Sequence, residues 1–261
     1  MIISPNHVPP FPKADLVILV NPNQWGITED YTGPGALCMN VTTFDNGTYP
    51  TNTTAPAWSI TWAFPPGPET QPVHAFPNIK LDTKHVFPIQ IQNVARIDFQ
   101  ADWAYGVGDE KPSTTNVADL SADDLNSNVA IDMFLDPDPT NATSTVDAKY
   151  EVMIWLGAFG AATQPIGLKQ GAVATQDVNG TTFSLYFGEN GLGQSVLTWV
   201  ADGTVQNFVA DVGPLLQGLT GLGGPTVNDY LGYMAFGSEA LSATSNVTFY
   251  NPTLNMDVIS K

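Results

Sequence analysis

The stretch Glu151-Val152-Met153-Ile154-Trp155-Leu156 decides how this chain is read. Side chains alternate across a strand, so Glu151, Met153 and Trp155 share one face while Val152, Ile154 and Leu156 fill the other. The second face suits a core. A carboxylate, a thioether and an indole in one row suit a core poorly, and leaving the two large side chains in open water is wasteful unless something binds there.

Similar alternation recurs at 15–20, 58–64, 86–91, 96–101, 128–135, 182–186, 196–201, 230–236 and 246–250. Turn residues separate these runs, as in Pro65-Pro66-Gly67-Pro68, Asp136-Pro137-Asp138-Pro139 and Asn179-Gly180. Many short strands joined by turns indicate an all-β chain, a jelly-roll β-sandwich of two antiparallel sheets. Only Phe208 to Leu219 has helical spacing, through Val209, Val212, Leu215, Leu216 and Leu219, and Gly213-Pro214 argues against a long helix there. One short helix is expected. No linker divides the 261 residues, so a single domain is expected over 1–261, with 1–14 as an N-terminal arm.

The chain carries 8 Lys+Arg against 25 Asp+Glu, a net charge of -17, which repels nucleic acid and anionic membrane surfaces. A neutral or cationic partner is expected. No run of about 18 apolar residues is present, so no membrane-spanning helix is expected. The N-terminus has no basic segment followed by an apolar one, so any secretory leader is expected to have been removed. Six Asn-x-Thr sequons, at Asn40, Asn46, Asn52, Asn141, Asn179 and Asn246, favour a secreted glycoprotein. Cys38 is the single cysteine and cannot form an intramolecular disulfide.

Several chemistries find no support. His7, His74 and His85 are scattered without metal-ligand spacing, so no metal site is expected. One cysteine makes no redox pair, and neither a phosphate-binding Gly-rich loop nor a Gly-x-Ser-x-Gly elbow occurs. No cofactor is expected.

Carboxylates remain. Glu151 reads either as a solvated glutamate on an outer face or as the polar member of a binding row. An aromatic beside a carboxylate suits a pyranose, whose apolar face stacks on the ring while its hydroxyls take polar partners. In Asn128-Val129-Ala130-Ile131-Asp132-Met133-Phe134, Asn128, Ala130, Asp132 and Phe134 share a face. If that strand neighbours the Glu151 strand, Asp132 comes close enough to share a proton or hydrogen bond with Glu151. The alternative, a buried aspartate satisfied by a backbone donor, stays open. Glycoside hydrolysis needs a second carboxylate, and Glu239 is the candidate because it follows an apolar strand.

These residues resemble glycoside hydrolase family 12, the small retaining endo-β-1,4-glucanases and xyloglucanases. The family's Asn-x-Trp-Gly is matched by Asn23-Gln24-Trp25-Gly26, and its Glu-Leu/Ile-Met-Ile-Trp by Glu151 to Trp155. Pro165-Ile166-Gly167 matches its Pro-Ile-Gly, and Gly237-Ser238-Glu239 matches part of its Gly-Thr-Glu-Pro-Phe. The ordered set runs from about Leu16 to the C-terminus.

The resemblance implies a jelly roll whose concave face holds a β-1,4-glucan: xyloglucan, mixed-linkage glucan or cellulose. It implies Glu151 as nucleophile, Glu239 as general acid/base and Asp132 as the aspartate that hydrogen-bonds the nucleophile. Trp25 would be a stacking platform, with Asn23, Trp62, Asn128, Met153, Trp155, Pro165 and Asn190 lining the cleft. Trp58, Trp62 and Phe64 resemble the aromatic strand that precedes the family's Ser-Tyr-Pro-Asn, here Ala75-Phe76-Pro77-Asn78. A monomer acting on the polysaccharide alone is expected. Two departures stand out. Ala240-Leu241 replaces the family's Pro-Phe, removing a rigid residue and a ring beside Glu239, and the arm offers no partner for the N-terminal disulfide usual in fungal members. The first departure also admits a non-catalytic β-glucan-binding protein of the same shape.

Overall fold

The computed structural model describes residues 18–25, 33–43, 49–83 and 86–261. The expected arm at 1–14 lies outside the described residues. In chain order the first strands are β1 (Ile18–Asn21), β2 (Ala36–Thr42), β3 (Ala57–Ala63), β4 (Asn78–Leu81) and β5 (Ile89–Gln90). Next come β6 (Val94–Val107), helix α1 (Val117–Ala122), β7 (Asn126–Asp136), β8 (Tyr150–Phe159), β9 (Ala174–Val178) and β10 (Thr181–Glu189). The chain closes with β11 (Ser195–Ala201), β12 (Asn207–Asp211), helix α2 (Gly213–Gln217), β13 (Tyr230–Gly237), β14 (Ala240–Ser242) and β15 (Val247–Ser260).

The strands form two sheets, as a jelly roll requires. The front sheet runs β1-β4-β13-β7-β8-β11-β10-β9, with β14 also pairing β7 and β5 pairing β13. The back sheet runs β12-β6-β15-β3-β2. All named pairs are antiparallel except β8 with β11.

Alternation sorts the front-sheet side chains. Val129, Ile131, Met133 and Leu135 of β7 and Val152, Ile154 and Leu156 of β8 point into the core between the sheets. There they meet Trp58, Ile60 and Trp62 of β3 and Phe99, Trp103 and Tyr105 of β6. Aromatic rings fill the layer, with Trp58 5.1 Å from Phe249 and Phe99 5.2 Å from Phe236. This burial drives the sandwich together and leaves the other front-sheet face free to form a cleft.

Four expectations are corrected. The helical spacing at 208–219 is split: β12 pairs with β6, and α2 covers only Gly213–Gln217. Val209, the first member of the expected stripe, is exposed on β12, while Phe208, Val212, Leu215, Leu216 and Leu219 are buried against one core, so a strand followed by a helix imitates most of one helical stripe. Pro214 stands in the first turn of α2, where its missing N–H costs nothing. A second short helix, α1, was unforeseen; Asn116 caps it by accepting the Ala118 N–H at 3.1 Å. Of the expected strand at 86–91 only Ile89–Gln90 is extended before a 3₁₀ turn. Finally, β2, β4, β9 and β14 are strands beyond those expected, although β2 alternates along its whole length.

Cys38 lies exposed on β2 and free of any disulfide. Among the described residues no helix is long and apolar enough to cross a membrane.

Candidate active site

Register brings the acidic residues together. β7 and β8 pair so that Asp132 faces Met153 and Phe134 faces Glu151, which sets Asp132 diagonal to Glu151 on one face. On the far side of β8, Val196 of β11 pairs with Glu151 and Thr198 with Met153. Ala130, Met153 and Trp155 pack into a small apolar group with Val200, and the Trp155 indole N–H points at the Met153 sulfur, 3.4 Å away. The row that alternation singled out is therefore continuous across three strands.

Glu239 arrives from the neighbouring strand. After a register shift between Leu231 and Tyr233, β13 stays paired with β7 as far as Gly237 opposite Ala130, and β14 resumes with Ala240 opposite Ser127. Ser238 and Glu239 fall in the gap, outside the ladder. Asn128 fills it: its Nδ2 donates to the Glu239 carboxylate, and its Oδ1 accepts the Glu239 backbone N–H at 3.1 Å.

The electrostatics differ among the three acids. Burial, followed by the charge on Glu151, pushes Glu239 up to about 7, against the hydrogen bond from Asn128. Glu151 is raised by burial and held back by Asn190, whose Nδ2 donates to its Oε2 at 3.1 Å. Asp132 is raised well above the usual carboxylate range by burial and then by the charges on Glu151 and Glu239. Its Oδ1 is buried and makes no hydrogen bond among the described residues. An aspartate so placed holds a proton, and a proton on Asp132 lessens repulsion of a charge on Glu151. The set can thus keep one acid protonated near neutral pH beside another that ionises.

Asn190 is itself fixed in the β10–β11 turn. Its Oδ1 accepts the backbone N–H groups of Leu192 and Gln194 at 3.0 and 3.1 Å, and its Nδ2 also reaches Gln194 Oε1 at 2.8 Å. Pro165, half-buried, opens the turn that precedes β9 and accepts the Leu168 N–H at 3.1 Å. In the same motif Gly167 has φ +95 and lies so close to the Phe187 main chain that no side chain fits.

Asn23 and Trp25 reach the site through main-chain bridges. Gln24 pairs with Ala75, and Ala75 with Ala240, the residue after Glu239. Trp25 N–H donates to the His74 carbonyl at 2.8 Å, and its indole N–H donates to Asn23 Oδ1 at 3.1 Å. The ring is 39% exposed, as a stacking surface must be.

Trp62 is not part of this cleft, contrary to expectation. It is 1% exposed on β3 in the back sheet, in the inter-sheet core, with its indole N–H donated to the Tyr105 hydroxyl at 2.7 Å. Trp58 and Phe64 are likewise buried there. A strand's alternation says which residues share a face; it does not say whether that face meets core or cleft. The reading missed Phe76 and Tyr233, which with Phe134 and Ala235 form an apolar patch beside Asp132. Nothing local marks Tyr233, which β13 brings beside Asp132 only in the sheet, whereas Phe76 stands just before β4 in the segment set against Ser-Tyr-Pro-Asn. Among the described residues no three histidine, cysteine or acidic side chains are arranged to hold a metal ion.

Known proteins resemble this chain in sequence and in fold. Residues 17–257 match the family model described as glycosyl hydrolase family 12. A probable xyloglucan-specific endo-β-1,4-glucanase A of Aspergillus flavus is 30% identical over 90% of this chain and 83% of that protein. A xyloglucan-specific endo-β-1,4-glucanase 1 of Phytophthora nicotianae is 30% identical over 89% and 84%. In fold, the chain resembles endoglucanase 3 of Trichoderma harzianum, with a TM-score of 0.72, 24% identity and coverage of 94% and 92%.

Proposed function

The chain belongs to glycosyl hydrolase family 12 and is a glycoside hydrolase, and from that premise we propose that it is a retaining endo-β-1,4-glucanase whose substrate is xyloglucan. Glu151 attacks the anomeric carbon, and Glu239 protonates the leaving oxygen. The observation that carries this assignment is the contrast between the two glutamates: Glu239 is pushed up to about 7 beside a Glu151 whose charge helps to push it. A general acid has to be protonated before attack and a nucleophile ionised, and such a pair meets both demands. The hydrogen bond from Asn190 holds the charge on Glu151, and a protonated Asp132 diagonal to it adds no opposing charge. Once the glycosyl-enzyme has formed, Glu239 acts as base and draws a proton from water.

Xyloglucan is chosen over other β-glucans because the related proteins from Aspergillus flavus and Phytophthora nicotianae carry that specificity in their names. We infer a single catalytic domain, acting outside the cell. Exposure of Asn40, Asn52, Asn141, Asn179 and Asn246 favours that location, since each sequon asparagine is open to glycan addition; Asn46 lies outside the described residues.

Glu151→Gln tests the assignment: the variant is expected to keep its melting temperature and lose nearly all hydrolysis, and wild-type turnover would refute it. NMR of fresh product should show the β-anomer first; the α-anomer first would mean inversion. Reducing-end release from xyloglucan, mixed-linkage glucan and carboxymethylcellulose, compared side by side, checks the substrate.

A further inference from the structure

Behind Glu239, on the core side of the front sheet, lies a group of hydroxyls that the chemistry above leaves unused. Tyr105 of β6 reaches across from the back sheet, its hydroxyl 3.2 Å from both Ser127 Oγ and Ser238 Oγ. The two serine oxygens are 2.9 Å apart. Ser127 Oγ donates to the Glu239 main-chain carbonyl at 2.6 Å, and Ser238 Oγ donates to the Asn128 carbonyl at 2.7 Å. Trp62 completes the group from the other side by donating to the Tyr105 oxygen at 2.7 Å. Trp62, Tyr105, Ser127 and Ser238 are all buried.

Proton count gives the group a direction. Each hydroxyl has one proton, and the serine protons go to the two carbonyls, so neither serine can donate to Tyr105. The phenol O–H is then the donor that the serine oxygens share. The order runs from the Trp62 N–H to Tyr105, from Tyr105 to the serine pair, and from the serines to the main chain of Glu239 and of Asn128, the residue that holds its carboxylate.

This matters because Ser238-Glu239 lies outside the β-ladder. The next residue, Ala240, is held by its own main chain, donating its N–H to the Ala75 carbonyl at 2.9 Å. We propose that Tyr105, Ser127 and Ser238 are positioning residues for Glu239, aiming the general acid from the inter-sheet core. The proposal rests on the reading of Glu239 as acid/base.

Leaving-group dependence tests it in the full chain. Xyloglucan needs protonation of its departing oxygen, whereas 2,4-dinitrophenyl β-cellobioside departs without it. In Tyr105→Phe and Ser127→Ala, kcat/KM for xyloglucan should fall by about 10- to 100-fold, while kcat/KM for the dinitrophenyl glycoside stays within about threefold. Ser127→Thr, which keeps the hydroxyl, should recover most of the loss. Equal losses on both substrates, or no loss on either, would overturn the proposal. Should Ser127→Ala fail to fold, the nearly isosteric Tyr105→Phe gives the same decision. Glu239→Gln runs alongside: if it loses both substrates equally, Glu239 is not the acid, and the failure belongs to that assignment rather than to the hydroxyl group.

Discussion

Asn128 holds Glu239 at two points, donating Nδ2 to the carboxylate and accepting the backbone N–H on Oδ1 at 3.1 Å. One side chain therefore orients both the acid and the strand gap that presents it. A carboxylate on a flexible turn would sample many directions; two bonds to one rigid amide leave few.

Asn128→Ala removes both. The donation from Asn128 lowers the proton affinity of Glu239, so its loss should move the alkaline limb of the kcat/KM profile to higher pH. Misplacement of the acid should at the same time cut kcat by about 10- to 100-fold. A pH–rate profile reads both effects. A lower kcat with an unmoved limb would mean that the amide orients Glu239 without tuning it.

In the wild type the same profile should be bell-shaped. Activity should fall as pH rises through about 7, where Glu239 loses its proton. It should fall on the acid side above the ordinary glutamate value of 4.5, because Glu151 is raised and must be ionised to attack. A plateau extending well past pH 8 would contradict the assignment of Glu239.

Stability should follow acid pH as well. Asp132 and Glu239 are both raised in the folded protein, so the folded state binds more protons than the unfolded one between their unfolded and folded values. Their contribution is complete below about pH 4 and is lost progressively as pH rises. Asp132→Asn removes one of these costs. Its melting temperature should exceed that of the wild type at pH 8 by a few degrees, at about 2–4 °C per kcal/mol, with the gap closing toward pH 4. Thermal melts across that range decide it, and an equal gap at both ends would mean a packing effect instead.

The two tryptophans should separate cleanly. Trp25→Ala removes an exposed ring and should raise KM for glucan about tenfold, the size of a contact worth ~1.4 kcal/mol, with little change in melting temperature. Trp62→Ala empties a core site and should destabilise the fold by about 3–5 kcal/mol. Calorimetry and steady-state kinetics on both variants check the contrast.

Much of this was open to inspection in one dimension. Alternation at 150–156 and 128–135 marked two strands and the faces carrying Glu151, Met153, Trp155 and Asp132, because a strand's geometry is local and its period is two. Where the spacing mixed signals, at 208–219, a strand and a short helix sharing one core produced the same apolar pattern as a single helix.

What remained for the tertiary structure was adjacency. Motif and alternation by themselves determined an all-β chain of this family and singled out Glu151 and Glu239 as its candidate acids. Only packing decided that Trp62 belongs to the core, that Asp132 lies diagonal to Glu151, and that Tyr105, Ser127 and Ser238 meet behind Glu239 from residues 22 to 133 positions apart. The physical reason is that strand order and sheet-to-sheet contact are set by burial summed over the whole core, a quantity that no single stretch of sequence contains.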